Sequence, residues 1–433
     1  MHHFGMMRLL RFIGLAGLAV ANPVTFDVDS VDSTSAAWPN GPLVTSGRWI
    51  HDAAGSNVTY AGANWPGAAD TMLPEGLQFQ SIDAIVDKIK GIGMNAVRLT
   101  YAIQMIDEIY DNGGKDVTIE KALTQALGVT NGPKVLAQII KNNPSFSAST
   151  TRLQVFDAVA ASLNKAHIYV HLDNHISKAE WCCSTTDGNA WWGDTDFDTT
   201  KWARGLSYMA THGKAWPNLV SMSLRNEPRS PDDKSAAATA SKKTYNWQGW
   251  YKFVRQGADA IHQANPDVLI FLSGLGYDTD LSAVTKGSAL SPGNDRFSLS
   301  DFSGYSNKIV LELHNYQNSA SSCSSLESGL TNAGFSAMSS GSGLQIPVVM
   351  TEFGFMMDAS TYKGVYATCL AKFLPNLHAG WTIWVLSGSY YIRSGKQDFE
   401  ETWGLLNHDW SAWRNPTYVK EQLEPMIKAT LSA

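Results

Sequence analysis

The sequence predicts an α/β fold of the (β/α)₈ TIM-barrel type, on three observations. From about Val58 to the C-terminus, short apolar runs alternate with segments of helical period. The runs number eight, the count that closes a barrel. The Gly-x-Gly-x-x-Gly turn that would favour an open, doubly wound sheet does not follow the first of them.

The predicted strands are Thr59–Asn64, Asn95–Thr100, Ile168–Asp173, Val220–Asn226, Val268–Ser273, Ile309–Asn315, Val348–Phe353 and Trp381–Leu386. Each is short and mostly apolar, as a strand buried on both faces must be. Between them, Ile82, Ile85, Val86 and Ile89 follow i, i+3, i+4, i+7, and Tyr362, Val365, Phe373 and Leu377 fall roughly along one later face. Residues 22–57 read as an N-terminal stretch, with a hairpin around Trp49, that caps the bottom of the barrel. Ile103–Pro144 reads as an insertion with two helical pieces, Lys121–Leu127 and Lys134–Lys141, and the Ser/Ala/Lys-rich Pro231–Lys243 as a mobile loop. With no internal repeat and no long linker, residues 22–433 form one domain.

Residues 1–21 carry an export signal: Arg8 and Arg11, an apolar run from Phe12 to Val20, and the small-residue cleavage site Ala19-Val20-Ala21. That run falls short of the roughly 20 residues that span a bilayer, so a secreted, extracellular protein is expected. The formal charge of −6 has no long acidic or basic blocks, which argues against nucleic acid and anionic membranes as partners and for a neutral substrate. In an exported chain, Cys182, Cys183, Cys323 and Cys369 allow up to two disulfides in any of three pairings. Asn57-Val58-Thr59 is an acceptor for N-linked sugar. Fifteen tryptophans, with Trp181, Trp191 and Trp192 set among Gly, Asp and Thr, suit either sugar faces or ordinary burial.

Two glutamates stand at ends of predicted strands in apolar surroundings: Glu227 in Leu224-Arg225-Asn226-Glu227-Pro228, and Glu352 in Met350-Thr351-Glu352-Phe353-Gly354. Desolvating an unpaired carboxylate is costly and seldom tolerated without a use. Strands four and seven of a barrel open on the same face, so two residues far apart in sequence meet there. Two such carboxyls are what cleavage of a glycosidic bond requires. Asp173 and Glu312, inside strands three and six, are read as structural partners.

In order along the strand ends stand Arg98, His175, Asn226-Glu227, His314-Asn315-Tyr316, Glu352 and Trp384. In that order, over roughly residues 45–410, the chain resembles glycoside hydrolase family 5, the cellulase-like family, in a secreted form of fungal type. The resemblance implies a retaining hydrolase of β-linked glycans with Glu352 as nucleophile, supported by Arg98 and Tyr316. It implies Glu227 as acid/base, kept protonated by burial and by the nearby charge of Glu352. Asn226 would bind the sugar 2-hydroxyl, His175 and His314 would position sugar and acid, and Trp384 would floor the pocket. It implies no cofactor, no metal, a monomer, and an endo-β-1,4-glucanase; exo-acting β-glucosidase and β-mannanase remain open, since substrate choice lies in the top-face loops around Trp181-Cys182-Cys183, Trp191-Trp192-Gly193, Ser389-Tyr390-Tyr391 and Glu400–Trp403. Two other readings compete. His171-x-Asp173-x-His175 has the period to offer three metal-capable groups on one side of a strand, and a barrel that keeps the fold without the chemistry would only bind sugar.

Overall fold

The computed structural model describes residues 38–432; the expected export signal and the start of the capping stretch lie outside them. Eight strands form a closed barrel: β1 (Ala61–Trp65), β2 (Ala96–Ala102), β3 (Tyr169–Ile176), β4 (Leu219–Ser223), β5 (Leu269–Ser273), β6 (Ile309–Asn315), β7 (Val348–Phe353) and β8 (Trp381–Ile383). Every neighbour is parallel and sequential, and β8 closes on β1 with Trp381 opposite Ala61. All eight predicted strands exist, although β4 stops at Ser223 and leaves Leu224–Asn226 in the turn that follows.

Alternation along each strand separates two environments. On β6, Ile309, Leu311 and Leu313 pack outward against the helices, while Val310 joins the apolar floor inside the barrel. Above that floor the interior turns polar, with Asn64, Arg98, His171, Asp173, Ser221, Ser223 and Glu312 all buried. Gly62 permits the tight packing of β1 on β2, because a Cβ there would stand 1.9 Å from the Ala96 carbonyl oxygen.

The floor is sealed from below. Val44–Ser46 and Trp49–His51 pair as the expected hairpin, and Leu43 and Ile50 insert beneath Tyr60, Tyr169, Phe271 and Val310. Lys308 Nζ donates to the Leu43 carbonyl at 2.7 Å and ties the cap to the barrel.

The helix Ile82–Gly91, capped by the Ser81 hydroxyl, buries the four residues that its spacing singled out. Val365–Asn376 buries Tyr366, Leu370, Phe373 and Leu374; Tyr362 belongs to a separate 3₁₀ turn before it, and Leu377 only caps it. In the insertion, Gly128 (φ 80°) breaks Ile119–Asn142 between the two expected pieces, and a further helix, Ile103–Asp111, precedes them. Pro231–Lys243 is not simply a loop. Ser235 caps a short helix, Ala236–Lys242, that buries Ala238 and Ser241.

Two disulfides form. Cys323–Cys369 bridges the helices Cys323–Ala333 and Val365–Asn376 across 46 residues, a closure that stabilises by about 4 kcal/mol through the unfolded chain's entropy. Cys182–Cys183 joins sequence neighbours and closes no such loop.

Trp191 and Trp192 do not face substrate. They are 0% and 2% exposed, and Trp192 stacks on Phe253 at 5.1 Å and meets Trp202 edge-on at 5.4 Å. Trp192→Ala is therefore expected to lower unfolding free energy by about 3–5 kcal/mol in urea titration, with KM unchanged. A raised KM at unchanged stability would return it to the sugar-binding surface.

Candidate active site

The polar upper half of the barrel organises around Arg98, which points inward from β2 level with Asn64 on β1 and His171 on β3. Its Nη1 donates to Glu352 Oε1 at 2.7 Å and to Asn64 Oδ1 at 2.8 Å. Its Nη2 donates to Asn226 Oδ1 at 2.8 Å and lies 3.0 Å from Asp173 Oδ1. Burial works against the guanidinium's charge, but the facing carboxylates of Asp173 and Glu352 outweigh it and hold its pKa above the ordinary value. Asp173 Oδ2 meets His175 Nδ1 at 2.7 Å, and the His175 ring stacks on Trp384 with centroids 5.6 Å apart.

Glu352 ends β7 and is held from its other side by the Tyr316 hydroxyl, which donates to Oε2 at 2.8 Å. Burial and the adjacent Glu352 keep the Tyr316 phenol well above its usual pKa, so it stays a donor. A register shift between Leu313 and His314 sets His314 directly opposite Glu352. His314 Nδ1 lies 3.0 Å from Glu227 Oε1 and 3.6 Å from Glu352 Oε2. One oxygen of Glu227, one of Glu352 and a His314 nitrogen all fall within 4.8 Å of one another.

Glu227 sits four residues past the end of β4 in left-handed backbone (φ 47°), rare for a side chain of its size. Arg229 fastens the turn by donating to the Glu227 carbonyl at 3.0 Å. Burial lifts the Glu227 carboxyl from its ordinary 4.5 to about 7, against the pull of Arg229, His175 and Arg98. Burial is the dominant cause, and the Asp173 carboxylate adds to it.

Between pH 4.5 and about 7 the unfolded chain has lost a proton that the folded chain keeps. Stability from this group is therefore full below 4.5 and falls as pH rises through about 7. Glu227→Gln is expected to gain on the wild type by up to about 3 kcal/mol at pH 8 and much less at pH 5, as read by melting temperature. A gain larger at pH 5 would contradict this.

Beneath the site, burial drives His314 down to about 3, leaving a neutral ring. Asp278, which follows β5, stands 3.5 Å from His314 Nε2, its pKa pushed well above the carboxylate range by burial and by Glu312. Glu312 itself accepts from Ser223 at 2.9 Å. The His171-x-Asp173-x-His175 cluster does not form a metal centre: Ser221 and Ser223 hydroxyls meet both His171 nitrogens at 2.8 Å, and burial holds that ring near 3. Asp173 pairs with Arg98 and His175, the structural role expected of it.

All eight sequence-predicted site residues thus converge at the C-terminal rim of the barrel. They surround a pocket of about 410 Å³ that Asn226, Glu227, Tyr316, Glu352, His175 and Trp384 line directly, with Arg98 and His314 behind. The sequence reading missed Asp278 and Arg229, and also Arg393 and Phe399, which line the pocket from the hairpin Ser389–Arg393/Lys396–Glu400 between two of the loops it named. A signal for Asp278 existed, since it is an acid just beyond a buried strand.

One acid that keeps its proton, within reach of a carboxyl gripped by an arginine, is the equipment of a glycosidase. The model of the family "Cellulase (glycosyl hydrolase family 5)" matches residues 51–389, and the chain belongs to that family. A glycosyl hydrolase 5 family protein of Chamaecyparis obtusa is 35% identical over 398 residues, which span 88% of this chain and 66% of that protein, just under two thirds. An endoglucanase of Paenibacillus polymyxa is 22% identical over 411 residues, 92% of this chain and 90% of that one. Among solved structures, an endocellulase of Pyrococcus horikoshii in complex with cellotetraose has the same fold, with a TM-score of 0.66 at 17% identity over 90% of this chain and 98% of the other.

Proposed function

We propose that this glycosidase is a retaining endo-β-1,4-glucanase with Glu352 as nucleophile and Glu227 as acid/base. The observation that carries the reading is the approach of the two carboxyls to within 4.8 Å at their nearest oxygens. Retaining enzymes hold their carboxyls about 5–5.5 Å apart, and inverting ones leave about 6.5–9.5 Å for a water. The names of the Paenibacillus and Pyrococcus proteins and the latter's cellotetraose favour a β-1,4-glucan.

In the first step Glu352 attacks the anomeric carbon and forms a glycosyl ester, while Glu227 gives its proton to the departing glycosidic oxygen. In the second, water attacks the same carbon, Glu227 takes its proton, and the ester bond breaks to release a sugar of unchanged configuration. Arg98 and Tyr316 fix both oxygens of Glu352 for in-line attack. Asn226, its oxygen held by Arg98, turns its amide N–H toward the pocket, where the 2-hydroxyl of a bound sugar would lie. His175 and Trp384 form one stacked wall. No cofactor enters this scheme.

Export of the chain with loss of residues 1–21, work as a monomer, and sugar on the exposed Asn57 belong to the same proposal. No helix among the described residues is long and apolar enough to cross a membrane. The test is a panel of β-glucans, β-mannans and aryl β-glycosides. Fastest release of mixed oligosaccharides from a β-1,4-glucan is expected; release of monosaccharide alone would make the enzyme exo-acting.

A further inference from the structure

We propose that the Cys182–Cys183 disulfide is a substrate-binding surface, the wall against which the leaving-group sugar packs. The inference rests on the retaining reading above and adds to it the +1 side of the same pocket.

Three observations carry it. First, the bond has nothing to stabilise by loop closure, being between neighbours, whereas Cys323–Cys369 spans 46 residues and does not line the pocket. Second, both cysteines line the pocket. Each sulfur lies 3.6 Å from Asn226 Nδ2, and the two sulfurs and a Glu227 oxygen fall within 4.8 Å of one another. Glu352 belongs to a different such group, sharing only Glu227 with them. The disulfide thus lies against the acid rather than the nucleophile, and the acid is the group that meets the leaving oxygen.

Third, the loop is built onto the catalytic turn. Arg229, which holds the Glu227 carbonyl, also donates to the Ser184 carbonyl at 2.7 Å and to Asp187 at 2.5 Å. Arg225 donates to the Asn189 carbonyl at 2.5 Å. Trp181 buttresses the loop from Tyr390 and Trp384, at 5.0 and 6.1 Å, with the Arg393 guanidinium 3.6 Å above its ring. With Trp181 covered by Arg393, the paired sulfurs offer a short, polarizable, apolar ridge suited to the C–H face of a sugar.

The experiment compares cellotetraose, which carries sugars across the scissile bond, with β-cellobiosyl fluoride, whose leaving group is a single atom. With the Cys182→Ser/Cys183→Ser double variant of the full chain, KM for cellotetraose is expected to rise at least about tenfold, while turnover of the fluoride changes less than about threefold. Wild-type enzyme treated with a phosphine until two thiols appear by mass, with its melting temperature checked, gives the same comparison without substitution. Cys323→Ser/Cys369→Ser is expected to melt lower and keep both KM values. Parallel losses on the two substrates would make the disulfide a structural support, and unchanged kinetics on both would remove it from the binding surface; either overturns the proposal. A wild type that turns over neither substrate would instead sink the β-1,4-glucanase reading beneath it.

Discussion

Glu352→Gln is expected to lower kcat by at least about 10⁴-fold on every β-glycan the enzyme cleaves, with substrate binding retained. The amide is nearly the same size, so Arg98 Nη1 and Tyr316 Oη, now 2.7 and 2.8 Å from the two carboxylate oxygens, keep most of their geometry. What is lost is the attacking oxygen. The expected pattern is therefore a collapse of kcat with KM near the wild-type value, by steady-state kinetics. A variant with wild-type kcat would mean that the chemistry happens elsewhere, and the purely sugar-binding reading of the barrel would stand if the wild type were equally inert.

The second large effect belongs to Glu227→Ala, with a loss of about 10²–10⁴-fold on glucans. The loss is expected to shrink on substrates with a dinitrophenolate leaving group, which departs without a proton. The wild type should also lose kcat/KM as pH rises through about 7, because only protonated Glu227 can assist departure and burial holds its pKa near that value. The sign is fixed by the role: active below, inactive above. In Glu227→Ala that alkaline limb should vanish for the activated substrate. Persistence of the limb would assign it to another group, with Glu312, also held near 7 by burial, the next to test.

The barrel was legible because its strands are buried on both faces and so write themselves as apolar runs, and because functional side chains recur at their C-terminal ends. Glu227 and Glu352 are readable without a structure for that reason, whereas Arg98, Asn226 and His314 are readable only through the resemblance to the family. Other features depend on contacts between distant residues. Trp191 and Trp192 sit in a polar stretch, yet Phe253 and Trp202 from two separate helices enclose them, and no local pattern reports that. The Ala236–Lys242 helix has too little apolar character to show a period, and its buried Ala238 is paired with a capping serine rather than a stripe. Ile103–Asp111 does have a buried face, Ile103, Ile106 and Ile109, but it begins directly where β2 ends, so no turn residues set it off from the insertion in the sequence. The upward direction of the Glu227 pKa is legible from its buried setting, but the part played by Asp173 is not, since sequence order says nothing about which charges a buried carboxyl faces.

The measurement that tests the two-glutamate account most directly is trapping with a 2-deoxy-2-fluoro-β-cellobioside carrying a dinitrophenolate leaving group, followed by peptide mass mapping. The account predicts one fluorocellobiosyl adduct per chain on the peptide that contains Glu352, absent from Glu352→Gln. An adduct on another residue, or rapid turnover to a product of inverted configuration with no adduct at all, would contradict it.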